Sequence, residues 1–488
     1  MTRETHTRAT RVLCLLAVAT VIPVATAAER PHVVFVLADD MGYGDLRPFN
    51  PDSRLVLPRL ESLAADGMRF TDAHAAGPLC HMSRYGLMTG EYPWRIDVSV
   101  WPDTPVIAEG RETIASVAAA AGYRTAMVGK WHCGFRERGY DRPLPGGPVD
   151  RGFDSFFGMR ASTDIPPYFY IRGRRAVLPP TGDVGGSDGT EEGLAKIQGR
   201  FIRAGKIAPD VRLEDVIGDF TDEAVAVIER HAAADAGDEP LFLYLAYTAP
   251  HTPWLPSEEF VGASGVGGYG DFAMTVDHEV GRVLDALDRA GIADDTLVIF
   301  SSDNGPVWYD ADVERTGHDS AGPLRGMKGD IWEAGHRMPL LMRWPGRIAA
   351  GSASDRLVCF TDFLATFASL WGVATGPEAG PDSVDFSDVL LGERASSQTT
   401  ERRTELVLRG GSAPLFGVRD GRWKLIDGLG SGGFSKPNRI RPRPGMPAGQ
   451  LYDLRQDLGE TVNLFGSRPD VVARLTEILD RAQGPEGE

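Results

Sequence analysis

Two apolar patterns alternate along the chain. Short, nearly continuous apolar runs recur: HVVFVLADD (32–40), RTAMVGK (124–130), LFLYLAY (241–247), TLVIFSSD (296–303) and PLLMRWP (339–345). Runs of this length and composition predict strands buried on both faces. Between them lie stretches with apolar residues three and four apart: LPRLESLAADG (57–67), ETIASVAAAAGY (112–123), DFTDEAVAVIERHAAA (219–234), FAMTVDHEVGRVLDALDRAG (272–291) and FTDFLATFASLWG (360–372). These predict helices with one buried face. The alternation predicts an α/β fold with a large, mostly parallel sheet flanked by helices. Residues 160–215 break the rhythm and read as an insertion near the site. The polar stretch 374–404 reads as a boundary, dividing a main domain over 29–394 from a C-terminal α+β subdomain over 395–488. In the latter, ELVLRG, LFGVRDGRWKLID and GQLYDLRQD predict a small antiparallel sheet, 428–448 a long loop, and 468–482 a terminal helix.

The N-terminus adds an address. Arg3, Arg8 and Arg11 precede the apolar run VLCLLAVATVIPVATA, which closes on the small-residue triplet ATA at 25–27. That is the pattern of a cleaved leader, with an uncleaved anchor as the alternative. Residues 1–28 are expected to be removed near Ala27 and Ala28, leaving a periplasmic or secreted protein. No other segment is long and apolar enough to span a bilayer. A formal net charge of −17 argues against nonspecific binding to nucleic acid or an anionic membrane. An anionic substrate would need a locally positive pocket. Of the four cysteines, Cys14 lies in the leader. Cys80, Cys133 and Cys359 cannot all pair within one chain. A Cys133–Cys359 bridge is one arrangement, and it leaves Cys80 as the odd thiol.

In open α/β sheets, ligands bind beyond the carboxyl ends of the strands. The first strand here delivers Asp39 and Asp40. The next delivers Lys130 and then His132. LFLYLAY is followed by His251, and TLVIFSSD ends on Asp303 and Asn304. Each residue has an ordinary reading: an N-cap, a turn, a solvated lysine, a histidine packed in a proline-rich loop. Together, Asp39, Asp40, Asp303 and Asn304 form an oxygen-rich set suited to Ca2+, with Mg2+ as the alternative, and not to zinc. PLCHMSRYGLMT (78–89) places Cys80 at the start of a predicted helix ending near Gly90, where a thiolate or bound oxyanion is favoured. Arg84 stands one turn on and can point back toward it. A buried structural cysteine is the ordinary alternative.

These residues carry a family resemblance. VVFVLADDMGYGD, PLCHMSRYGLMTGEYPWR, GKWH, YTAPHTPW, SSDNG, GPLRGMKGDIWEAGHRMPLLMRWPG and LYDLRQDLGETVNL fall in the order seen in the type I sulfatases. The chain resembles the arylsulfatase A-like, formylglycine-dependent members of the alkaline-phosphatase-like superfamily over nearly its whole mature length. The resemblance implies an exported hydrolase that cleaves sulfate from a sulfated carbohydrate or aryl sulfate. It implies that a maturase converts Cys80 to Cα-formylglycine, whose hydrate is the nucleophile. Asp39, Asp40, Asp303 and Asn304 would hold Ca2+. Arg84 would stabilise the hydrate, Lys130 and Lys328 would neutralise the sulfate oxygens, and His251 would protonate the leaving alcohol. His132 would take a proton from the second hydroxyl, and Ser162 would support sulfate binding.

One position departs from the family signature: Met82 stands where proline or alanine is usual. His318, in TGHDSAGPLRG, is a candidate contact for a sugar hydroxyl or second anion, or a solvated loop histidine. The arginines of RIRPRP (439–444) offer charge to a polyanionic chain, against the plainer reading of a solvated loop. Two further functions fit the same residues. One is a phosphoester or phosphonate hydrolase, separated by comparing nitrophenyl sulfate with nitrophenyl phosphate. The other is an inactive sulfated-glycan-binding relative in which Cys80 stays a thiol.

Overall fold

The structure, a computed structural model, describes residues 30–100, 103–189, 194–195, 197–234, 239–392 and 402–484. The expected leader lies outside these residues. So does the part of the expected boundary over 393–401. Among the described residues, no helix is long and apolar enough to cross a membrane.

The elements run β1 (His32–Asp39), α1 (Pro58–Ala65), β2 (Met68–His74), α2 (Cys80–Thr89), α3 (Ile114–Ala120), β3 (Arg124–Lys130) and β4 (Ser155–Met159). Two small ribbons follow: β5 (Ile171–Arg172) with β6 (Arg175–Ala176), and β7 (Gly182–Val184) with β8 (Gly205–Ile207). Then come α4 (Val216–Ala233), β9 (Leu241–Pro250), α5 (Gly268–Arg289), β10 (Thr296–Ser302), α6 (Asp310–Thr316), α7 (Glu333–His336) and β11 (Arg337–Arg343). β12 (Ser352–Ser354), β13 (Val358–Cys359), α8 (Asp362–Trp371) and α9 (Ser387–Leu391) complete the larger part. The smaller part holds β14 (Glu405–Arg409), β15 (Phe416–Asp420), β16 (Trp423–Ile426), β17 (Gln450–Asp453) and α10 (Pro469–Gln483).

All ten residues of β9 and all but the first of β1 are buried, which is why these strands read as continuous apolar runs. They form the centre of a parallel block, β10-β1-β9-β3-β4, in which Val34 lies opposite both Val298 and Leu243. Antiparallel strands extend both sides: β11 and β2 beyond β10, β5 and β6 beyond β4. The result is a mixed sheet around a parallel core. Helices flank it, with α4 against α5 and α3 against α8. The apolar runs do not predict β2. Its sequence, MRFTDAH, carries Asp72 and His74, buried charged and polar groups whose partners come from elsewhere in the fold.

The C-terminal strands β14-β15-β16-β17 form an antiparallel sheet packed against α10. Pairing of Asp420 with Trp423 leaves a two-residue turn, and Gly421 supplies its positive φ of 57°. This sheet meets the main one through buried charge. Arg419 Nη2 on β15 donates to Asp72 Oδ2 at 2.7 Å. Lys424 Nζ on β16 donates to Glu333 Oε1 at 3.0 Å, and Arg337 Nη1 donates to Glu333 Oε2 at 3.1 Å. Lys424 also pairs with Glu460 at 2.9 Å. His74 Nδ1 lies 3.0 Å from His336 Nδ1, and burial pushes both imidazoles below their ordinary pKa. His74, Glu333 and His336 are within metal-ligand reach of one another. Both Glu333 oxygens already carry a cation, so the cluster acts as an ionic joint.

The Cys133–Cys359 bridge that the sequence left open is not formed. Both are buried free thiols, Cys133 in the main core and Cys359 in the apolar cluster shared with the C-terminal sheet.

Candidate active site

Parallel strands deliver their carboxyl ends to one side of the sheet, and the expected residues gather there. β1 ends on Asp39, and Asp40 turns the chain in the left-handed region at φ 65°. β3 ends on Lys130, and His132 just beyond it has φ 59°. Left-handed backbone at residues other than glycine is costly and persists where packing enforces it. His251 follows β9, and Asp303 and Asn304 follow β10. Cys80 is the first residue of α2, and Arg84 lies one turn further in.

The contacts are short and buried. Cys80 Sγ lies 3.4 Å from Asp39 Oδ1 and 4.0 Å from Asp40 Oδ1. Lys130 Nζ donates to Asp39 Oδ2 at 2.5 Å, and Lys328 Nζ to Asp40 Oδ1 at 2.5 Å. Arg84 is clamped: Nε donates to Asp303 Oδ2 and Nη1 to the Lys130 carbonyl, both at 2.9 Å. Asn304 Nδ2 donates to Asp40 Oδ1 at 2.6 Å. His251 Nε2 lies 3.6 Å from Asp40 Oδ2, while Nδ1 lies 2.5 Å from the Thr252 carbonyl.

Three carboxylates thus face three basic side chains, and their ionisation follows. Burial opposes charge on Asp39, yet Lys130, His251, Arg84 and Lys328 hold its carboxyl well below the usual range. Burial and Asp39 together raise Asp303. Burial, then Asp303, pushes the Cys80 thiol well up. Burial and Lys130 push His132 well below its ordinary value, and burial with the two lysines brings His81 to about 3.

The donor set fits a hard cation. Asp39, Asp40, Asp303 and Asn304 supply oxygens from two adjacent strand ends. Asn304 Oδ1 is buried with no hydrogen-bond partner, as expected of an atom shaped to ligate. Asp39, Asp40, Cys80 and His251 also offer ligand atoms within 4.8 Å of one another. That quartet includes a sulfur and an imidazole, a poorer match to Ca2+ or Mg2+ than the four oxygen donors.

Above this floor opens a cleft of about 210 Å3. Asp40, Cys80, His132, Ser162, His251 and Lys328 line it. Asp39, Arg84, Lys130, Asp303 and Asn304 are buried around these residues. His318 is placed elsewhere, which corrects the expectation of a substrate contact. It is 1% exposed, with Nε2 2.8 Å from Asp45 Oδ1 and Nδ1 accepting the Arg54 N–H at 3.4 Å. Asp45 in turn lies 2.5 Å from the Tyr269 hydroxyl, which is 3.1 Å from the Asp40 carbonyl. His318 therefore braces the loop behind Asp40. The same loop needs Gly42, where a Cβ would sit 2.0 Å from the Ser320 carbonyl oxygen.

Sequence reasoning missed other lining residues: His81, Asp164, Ile165, Ile197, Arg203, Thr252, Val307 and Phe434. Asp164, Ile165, Ile197 and Arg203 lie in the insertion, and Phe434 in the C-terminal loop. No periodicity marks them. The one usable signal was proximity in sequence, since His81 adjoins Cys80 and Asp164 follows Ser162 by two.

The sulfatase family profile matches residues 31–373. This chain belongs to the sulfatase family. The sulfatase is accordingly a sulfuric ester hydrolase. It is 30% identical over 497 residues to an N-acetylgalactosamine-6-O-sulfatase of Bacteroides thetaiotaomicron, with 93% of each chain covered. It is 32% identical over 470 residues to human arylsulfatase A, with 92% of this chain and 87% of that one covered. A solved structure from work on glycosaminoglycan metabolism by Bacteroides thetaiotaomicron matches with a TM-score of 0.79 at 28% identity, covering 93% of this sulfatase and 99% of that chain.

Proposed function

We propose that this sulfatase acts outside the cytoplasm, after removal of residues 1–28, and releases sulfate from a sulfated carbohydrate. A formylglycine made from Cys80 and a Ca2+ held by Asp39, Asp40, Asp303 and Asn304 complete the site. The observation that carries the reading is the convergence of Cys80, two lysines, His251 and the oxygen set on one cleft floor. The relative named for N-acetylgalactosamine 6-O-sulfate supports a sugar as substrate.

Hydrated formylglycine supplies a geminal diol as nucleophile. Ca2+ supplies Lewis acidity toward sulfate oxygens. The rest is done by the chain. Lys130 and Lys328 project ammonium groups that match negative charge developing on sulfate oxygens. Ser162 Oγ, buried and without a hydrogen-bond partner, is available to donate to one of those oxygens. His251 stands at the floor with Nδ1 against the Thr252 carbonyl, so Nε2 is the atom left to hand a proton to the leaving alcohol. His132 is held uncharged by burial and Lys130, as a proton acceptor must be. Arg84, fixed by Asp303 and the Lys130 carbonyl, keeps its charge beside residue 80. Cys80 is only 4% exposed in the folded chain, so a maturase would meet it before folding.

Mass spectrometry of the Cys80 peptide, paired with sulfate release from a panel of sugar and aryl sulfates, tests the reading. The expected result is an aldehyde at position 80 together with sulfate release. Unmodified cysteine in the native host with no release would overturn it.

A further inference from the structure

Asp164 is buried, 3% exposed, yet it lines the cleft between Ser162 and Ile165. One of its oxygens is accounted for: Oδ2 accepts from Arg203 Nη1. The other is not. Oδ1 is buried and has no hydrogen-bond partner. The nearest candidate, His251 Nδ1, is 3.9 Å away and is already on the Thr252 carbonyl at 2.5 Å. A buried carboxylate oxygen without a donor is costly, and such atoms call for a partner that comes and goes.

The surroundings describe that partner. Ile165, Ile197, Val307 and Phe434 make the cleft wall largely apolar. Ile197 reaches it from a left-handed backbone at φ 67°, a strained state for a β-branched residue. Gln198 pins that turn, with Nε2 donating to the Val307 carbonyl at 3.0 Å and to Asp312 Oδ2 at 2.8 Å. An apolar wall facing one isolated acceptor suits a pyranose, which presents C–H faces and hydroxyl edges. It does not suit the ring of an aryl sulfate, which brings no hydroxyl to the acceptor.

We propose that Asp164 is a substrate-recognition residue, its Oδ1 accepting a hydrogen bond from a hydroxyl of the sulfated sugar while Arg203 holds the carboxylate in place. The substrate class is then a hydroxyl-bearing sugar sulfate in preference to an aryl sulfate. This rests on the sulfated-carbohydrate reading above.

The test compares wild type, Asp164→Ala and Asp164→Asn on hexose and N-acetylhexosamine sulfates and on 4-nitrophenyl sulfate, with a thermal melt of each protein. Asp164→Asn keeps the side-chain shape and guards against a misfolded alanine variant. The expected result is a kcat/KM loss about 100-fold greater on the preferred sugar sulfate than on nitrophenyl sulfate for Asp164→Ala, and a smaller differential for Asp164→Asn. A deoxy analogue lacking the contacted hydroxyl should cost the wild type as much as the alanine variant loses. Equal losses on both substrate types, with folding intact, overturn the inference and leave the sulfated-carbohydrate reading standing. A wild type that hydrolyses nitrophenyl sulfate but no sugar sulfate overturns both.

Discussion

Three carboxylates and three basic side chains are buried together at the strand ends, and three of each are buried again where the two sheets meet. The first set is Asp39, Asp40 and Asp303 with Lys130, Lys328 and Arg84. The second is Asp72, Glu333 and Glu460 with Arg337, Arg419 and Lys424. Both hold perturbed ionisations. Both contain left-handed backbone outside glycine, at Asp40 in one and Glu460 in the other. Neither trait separates a site from a joint. What separates them is the extent of unmet hydrogen bonding: Asn304 Oδ1, Ser162 Oγ and Asp164 Oδ1 lack partners around the first set, against Glu460 Oε1 alone in the second, and that oxygen sits 2.9 Å from the Lys424 ammonium. In the second, both Glu333 oxygens are held by cations. Buried charge that is fully paired locks a fold, and buried charge with acceptors to spare awaits a ligand.

The contrast can be broken most directly at Cys80. Cys80→Ala should lower kcat/KM for sulfate release by about 1000-fold or more, with a melting temperature near wild type. The opposite signature belongs to Lys424→Met, which strands Glu460 without its cation and leaves Glu333 with Arg337 alone. It should cost about 3–5 kcal/mol in urea unfolding while kcat/KM per folded molecule stays within about threefold. A large activity loss at full stability would make the joint part of the site. Chelation comes next. On the proposed Ca2+ site, chelation should abolish activity reversibly but cost only about 2–3 kcal/mol of stability, because Lys130, Lys328 and Arg84 already offset the carboxylates. Readdition of Ca2+ with activity and melting followed together checks both halves.

A smaller effect sharpens the joint. Burial pushes the Glu460 carboxyl up to about 7 from 4.5, against the pull of Lys424. A raised folded pKa means the folded state binds the proton more tightly. The stability so gained is full below 4.5 and lost as pH climbs through about 7. Wild type should therefore lose about 2.5 kcal/mol between pH 5 and 8 from this group, and Glu460→Gln should flatten that slope in urea titrations. The smallest stability effect is expected at Met82. The first helical bond of α2 runs from Ser83 N to the Leu79 carbonyl at 2.9 Å, so the Met82 N–H lies outside the ladder. Met82 is 3% exposed, so Met82→Pro should cost about 1–2 kcal/mol, from lost packing and not from a lost helical bond. On the proposed chemistry it should raise the aldehyde fraction at position 80.

The parallel core was legible because β1, β3, β9 and β10 are covered on both faces and so read as unbroken apolar runs. The strand-end residues were legible for a related reason, since topology alone brings the ends of neighbouring parallel strands together. β2 was not legible, because its Asp72 and His74 are buried by Arg419, from far along the chain. His318 was misjudged for want of its partner: nothing near it in sequence announces Asp45. Asp164, Arg203 and Phe434 lie in irregular segments, where no repeat links a residue to a face.

Arg84 and Asp303 are separated by 219 residues, and Lys328 reaches Asp40 from further still. A chain made at roughly 5–20 residues per second needs about 10–40 seconds to cover the first of those distances. Until then, the segment around Cys80 lacks Asp303 and Lys328 to close over it. The long-range clamp that rigidifies the finished enzyme is therefore also a timer. On the formylglycine chemistry proposed above, it leaves the nascent segment open to the modifying enzyme for an interval that could be lengthened or shortened by moving residues from one side of the clamp to the other.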